Sequence, residues 1–208
     1  TGIMECRFTN GKEKGLNERL QELKQLAIDT NKKYAKDIGI NQSVAITCVK
    51  PSGTVSQLVD SASGIHARHN PFYIRTVRGD VKDPLSKMMV DIGFPSEEDY
   101  MNKHNVVFSF PQKADKDAVF RTDMTAIEQL ENWKIYQENW CEHKPSVTIS
   151  VKEKEWMEVG AWVYDNFDYM SGVSFLPFTD HVYKQAPYQD CTEEEYNEFL
   201  KKMPKDVD

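Results

Sequence analysis

Apolar residues recur at helical spacing over residues 15–38, where Leu16, Leu20, Leu23 and Ala27 share one face and the opposite face is charged. Gly39 follows as a C-terminal cap. The pattern predicts further helices over Pro84–Ile92, ended by Gly93 and Pro95, and from a capping box at Thr125-Ala126-Ile127-Glu128 to about Cys141. A second box, Ser150-Val151-Lys152-Glu153, leads a helix with Trp156, Val159, Val163 and Phe167 inward, and Thr192 opens a last helix ending near Met203-Pro204. Ser43–Val49 is almost continuously apolar and is expected as a strand buried on both faces. Phe72–Val77, Val106–Phe110, Val147–Val151 and Gly172–Phe175 are the other strand candidates, and polar Gln112–Asp123 reads as a surface loop. Strands alternating with helices predict an α/β architecture with a largely parallel sheet or barrel. No repeat, low-complexity segment or linker stands out, so residues 1–208 are expected to form one unit.

Composition narrows the function classes. The net charge is −7, whereas a general nucleic-acid surface would be basic. No run of 18 apolar residues exists, so no membrane span is expected. The N-terminus lacks the basic and apolar regions of a signal peptide. It does not begin with Met, which suggests a processed chain or one cut from something longer. Cys6, Cys48, Cys141 and Cys191 are far apart and read as free thiols of a cytoplasmic protein.

The main chemical candidate is Lys50-Pro51-Ser52-Gly53-Thr54-Val55-Ser56-Gln57. It follows the Ser43–Val49 run and leads into a segment, Val55 to Asp60, that could begin a helix. Backbone N–H groups at such a turn point at an anion, Gly53 permits close approach, and Ser52, Thr54 and Ser56 add hydroxyls. The plain alternative is a connection whose hydroxyls only cap the helix. The Gly-x-x-x-x-Gly-Lys-Ser/Thr spacing of a P-loop is not present.

Other candidates stay open. His66, Arg68 and His69 could meet an anion or form a solvated turn. Arg75 and Arg78 could reach a phosphate or lie on the surface. Cys141-x-His143 is a weak metal signal without a second ligand pair. Trp133, Trp140, Trp156 and Trp162 sit at helical spacing and read as packing residues. Asp60, Asp180 and Asp190 have no identifiable acid/base partner.

Four blocks in order carry a family resemblance. They are Ala45 to Ser56, Asp60-Ser61-Ala62-Ser63-Gly64-Ile65-His66, Tyr73-Ile74-Arg75-Thr76-Val77-Arg78, and Ser171 to Phe178 with Gln185-Ala186-Pro187-Tyr188. They resemble adenosylcobalamin-dependent (class II) ribonucleotide reductases. The resemblance implies the second half of that family's ten-stranded α/β barrel. It implies replacement of the ribose 2′-hydroxyl of a nucleotide by hydrogen. A cysteine thiyl radical generated with adenosylcobalamin begins that reaction, and the electrons come from a cysteine pair and a thioredoxin-type reductant. It makes Ser52, Gly53, Thr54, Val55 and Ser56 the substrate phosphate-binding residues, Val55 through its backbone alone.

The departures matter equally. The family's radical loop carries Asn, Cys and Glu at close spacing, and no Asn-x-Cys-x-Glu occurs here. No reducing cysteine pair or C-terminal cysteine tail is visible either. The chain is therefore expected to be a C-terminal fragment, inactive alone, whose partners are the N-terminal remainder of the reductase and a ribonucleotide. As a half-barrel it is expected to self-associate through exposed strand edges. The alternatives are another α/β phosphate-binding enzyme, or a nucleotide-binding module without chemistry.

Overall fold

A computed structural model describes residues 1–178 and 183–205. Contacts divide the chain into two compact units, each made of two stretches. Unit 1 is Thr1–Arg68 with Lys116–Thr179, and unit 2 is His69–Asp115 with Asp180–Asp208. Neither unit is one continuous stretch of sequence. A unit whose chain leaves and returns needs no flexible linker of the kind composition reveals.

In unit 1, α1 (Leu16–Ile38) ends at Gly39 with φ +78°, whose N–H bonds the carbonyls of Ala35 and Lys36. A single helical turn, α2, covers Val55–Leu58. Unit 2 contributes β1 (Phe72–Asp80), α3 (Pro84–Asp91), β2 (Ser96–Glu98) and β3 (Asn105–Lys113). The chain then returns to unit 1 with α4 (Ala126–Asn139), β4 (Thr148–Val151), α5 (Trp156–Asp165) and β5 (Ser174–Pro177). β6 (Tyr188–Asp190) and α6 (Glu193–Lys202) complete unit 2.

The capping boxes at Thr125/Glu128 and Thr192/Glu195 form with both reciprocal bonds. The box expected at Ser150 does not, because Ser150 and Val151 are taken by β4. Instead the Glu155 carboxylate accepts the Lys152 N–H at 2.9 Å. Val159 of α5 is buried as expected, but Phe167 is exposed beyond the helix end, and Trp156 is 39% exposed.

Unit 1 holds two hydrophobic clusters with α4 between them. Leu16, Leu20, Val49, Ile65, Tyr136 and Cys141 form one, and Ala126, Leu130, Ile149, Val151 and Val159 the other. β4, α5 and β5 make a βαβ unit in which Thr148–Val151 pairs in parallel with Ser174–Pro177.

Unit 2 is where the largely parallel sheet fails. Its sheet runs β2-β3-β1-β6, and every pair is antiparallel. β1 and β3 pair over nine residues, from Phe72↔Lys113 to Asp80↔Asn105, so both outlast their predicted ends. β3 passes through Pro111 beyond the reach of β2, which pairs only with Val106–Phe108, so the missing N–H costs no ladder bond on that side. The α/β class holds; among the described strands the parallel pairing is that of β4 with β5, beside one isolated parallel bridge, Arg68↔Phe120.

Residues 43–49 form no strand. Val44 is fully exposed, and only Thr47 and Val49 are buried. A strand buried on both faces needs a ladder partner, and among the described residues this run has isolated bonds to Asn31 and to residues 140–146 but no ladder. The Glu142 and Ser146 N–H groups donate to the carbonyls of Thr47 and Val49. The Glu142 carboxylate accepts the N–H groups of Ile46 and Thr47. Those amides, Ile46 first, hold the Glu142 carboxyl below the usual glutamate range.

Candidate functional site

The Pro51–Ser56 loop leaves the first cluster at Val49, whose carbonyl is tied to Ser146 at 2.9 Å. The Ser52 N–H donates to the Ser63 hydroxyl at 2.9 Å, and the Ser52 hydroxyl meets that of Thr1 at 2.7 Å. Ser56 is buried, and its hydroxyl donates to the Ser52 carbonyl, closing the turn from within. Gly53, Thr54 and Val55 face outward and are exposed. Among the described residues no acceptor takes their N–H groups. A Cβ added at Gly53 would meet nothing within 4 Å, so internal packing does not demand glycine there. With one turn, α2 has little cumulative dipole, and what it offers an anion is its unpaired amides.

The five predicted residues thus divide. Gly53, Thr54 and Val55 present free amides, Thr54 adds an open hydroxyl, and Ser52 and Ser56 brace the loop.

Beneath the loop lies a shelf, residues 60–68. Gly64 has φ +55°, and a Cβ there would stand 3.0 Å from the Lys50 carbonyl oxygen. His66 is half-buried, its Nδ1 2.9 Å from the Ser63 carbonyl and its Nε2 3.0 Å from the Thr148 nitrogen. Arg68 is 2% exposed and pairs with Glu5 at 2.9 Å and with Asp60. Asp60 reaches it from φ +48°, a conformation aspartate tolerates. Glu5 also accepts the Ala62 N–H at 2.8 Å. His66 and Arg68 stand out in the sequence, but no periodicity shows that they hold a shelf.

Arg75 and Arg78 are committed within unit 2. Arg75 donates to the Pro187 carbonyl and lies 4.4 Å over the Tyr188 ring. Arg78 bonds Asp99 at 3.0 Å and the Gln185 carbonyl. His69 bonds Asp190 at 2.6 Å and stacks on Tyr188. Asp180 lies outside the described residues.

No group of three or more His, Cys, Asp or Glu among the described residues stands close enough to hold a metal, and His143 Nδ1 accepts the Lys144 N–H. No described helix is long and apolar enough to cross a membrane. All four cysteines are free.

No protein-family model matches the chain. A probable adenosylcobalamin-dependent ribonucleoside-triphosphate reductase of Dictyostelium discoideum is 33% identical over 183 residues, 85% of this chain and 24% of that protein. The adenosylcobalamin-dependent ribonucleoside-triphosphate reductase of Euglena gracilis is 31% identical over 172 residues, 81% of this chain and 24% of the relative. A crystal structure of a B12-dependent (class II) ribonucleotide reductase superposes with a TM-score of 0.83 at 24% identity, over 93% of this chain and 28% of that one. The chain spans about a quarter of the length of the curated relatives it matches. Over most of its length it is therefore homologous to one segment of the adenosylcobalamin-dependent, class II ribonucleotide reductases, and it shares that segment's fold.

Proposed function

We propose that this chain is the C-terminal part of the catalytic barrel of a ribonucleotide reductase, and that its Pro51–Ser56 loop binds the phosphates of the ribonucleotide. The observation that carries the reading is the set of exposed, unpaired amides at Gly53, Thr54 and Val55, held on a braced turn in a chain homologous to these enzymes. An anion there receives backbone N–H groups already fixed in place, with the Thr54 hydroxyl beside them. Ser52 and Ser56 keep the turn closed, Ser56 through its bond to the Ser52 carbonyl.

The activity belongs to the whole reductase. The sequence lacks the Asn-x-Cys-x-Glu loop, so the chain alone is inactive and depends on the remainder of the enzyme, and on a thioredoxin-type reductant in the cytoplasm. Adenosylcobalamin supplies the radical that starts the chemistry when bound to the whole protein. The cavities beside His66 and beside Met4 measure about 80 and about 340 Å³, and neither is assigned to the cofactor.

The test is nucleotide binding by the full-length protein. Thr54→Val removes one exposed hydroxyl and is expected to weaken ribonucleotide binding about five- to tenfold, the net worth of a typical single hydrogen bond. Combination with Ser56→Ala weakens it further by loosening the turn. Unchanged affinity in the double variant removes these side chains from the phosphate role.

A further inference from the structure

The imidazole of His66 stands between two groups that leave it no choice of protonation. The Thr148 backbone nitrogen is a donor only, so Nε2, 3.0 Å away, must present a lone pair. The Ser63 carbonyl is an acceptor only, so Nδ1, 2.9 Å away, must carry the hydrogen. The geometry fixes a neutral ring with its hydrogen on Nδ1, whatever hydrogen placement is assumed. The bridge runs on from there. The Ser63 hydroxyl receives the Ser52 N–H at 2.9 Å, and the next residue, Gly64, seats against the Lys50 carbonyl. A continuous path therefore joins β4, through His66 and Ser63, to the first residue of the phosphate loop.

We propose that His66 is a proton-sensitive positioning residue for the Ser52–Ser56 loop, holding it in its anion-binding form only while the imidazole is neutral. This rests on the reading of that loop as a phosphate site. A protonated ring would turn an N–H toward the Thr148 N–H, and one end of the bridge would have to open. The released ring would leave the Ser63 carbonyl held by the His66 backbone N–H alone, at 3.0 Å, and the shelf under Ser52 would loosen. The groups around His66 are few. The cavity beside it, about 80 Å³, is lined by Arg121 ahead of α4, by uncharged Gln129 and Asn132 of α4, and by Thr148 and Ser150 of β4. On its own segment the charged neighbour is Arg68, paired with Glu5 and Asp60.

The experiment compares the full-length wild-type protein with His66→Gln, whose amide can accept from Thr148 and donate to Ser63 but does not titrate. Two readouts are taken from about pH 8 to about pH 5, the range of histidine titration. One is hydrogen exchange of the peptide carrying Ser52–Ser56, corrected for intrinsic rates and measured without ligand. The other is affinity for a ribonucleoside triphosphate, read as the ratio of variant to wild type so that the ligand's own titration cancels. Wild-type loop exchange should accelerate toward acid and affinity should fall about five- to tenfold relative to the variant, which stays flat. A step in exchange without one in affinity upholds the role of His66 and overturns the phosphate reading. No step in the wild type, or the same step in His66→Gln, overturns the proposal. The wild-type exchange profile needs no variant, so misfolding of His66→Gln would not rescue the proposal.

Discussion

The indole Nε1 of Trp133 donates to the carbonyl of Pro145 at 2.9 Å, and neither residue is open to water. The bond ties the middle of α4 to the segment that leads into β4. It makes Trp133 a joint between elements as well as a filler of the core, since a buried carbonyl must find its donor within the protein.

Trp133→Phe keeps an aromatic ring but leaves the Pro145 carbonyl without this donor. The expected loss of stability is about 1 to 3 kcal/mol, seen as a lower urea midpoint with an unchanged slope.

Gly64→Ala places a methyl group 3.0 Å from the Lys50 carbonyl at a backbone angle of φ +55°. Left-handed backbone alone disfavours alanine by about 1 kcal/mol. The variant should lose at least that much stability, and faster amide exchange should centre on Lys50–Ser52 rather than spread through α1. Uniform acceleration would show that the shelf does not specifically support the loop.

The thiols should react in an order set by burial. Cys6 and Cys48 are exposed, whereas Cys141 is buried and its thiol is pushed up to about 11, chiefly by that burial. The thiolate is the reactive form, so iodoacetamide at neutral pH should label Cys6 and Cys48 and spare Cys141 until the chain unfolds. Cys191, half-buried and also raised, should follow the exposed pair. Mass spectrometry of the labelled peptides reads the order.

Acid should loosen the run before the loop. Glu142 has a depressed folded-state pKa because it accepts the amides of Ile46 and Thr47. Its contribution is therefore present above the unfolded glutamate value and is lost as pH falls through the folded one. Exchange of the Ile46 and Thr47 amides, corrected for intrinsic rate, should rise as pH falls below the ordinary glutamate range in the native protein and already be fast in Glu142→Gln at neutral pH.

The 208-residue chain on its own should self-associate. Val44, Leu58, Met157, Tyr164 and Phe167 are all exposed, and among the described residues β4 and β5 form a two-stranded sheet with no further strand on either edge. Light scattering that found a stable monomer would contradict this.

The helices were legible because local signals govern them. Gly39, the Thr125/Glu128 box and the Thr192/Glu195 box each act within a few residues, and each forms where the sequence places it. Strand identity was less legible because a strand is made by its partner. Residues 43–49 have strong strand composition and no ladder, whereas Pro111 lies inside β3 because Ile74 pairs with it. The candidate loop was half legible. The Ser/Gly/Thr spacing marked the exposed amides, but the inward turn of the Ser56 hydroxyl and the shelf of Ser63, Gly64 and His66 depend on contacts that no local pattern carries.

Arg68 forms a parallel bridge with Phe120, its N–H bonding the Val119 carbonyl and its carbonyl receiving the Arg121 N–H. Residues 69–115 leave and return across that bridge, as a bobbin's thread leaves and returns at one slot. Insertions or deletions within the excursion then leave the register of α4 and of the shelf unshifted, whatever its length.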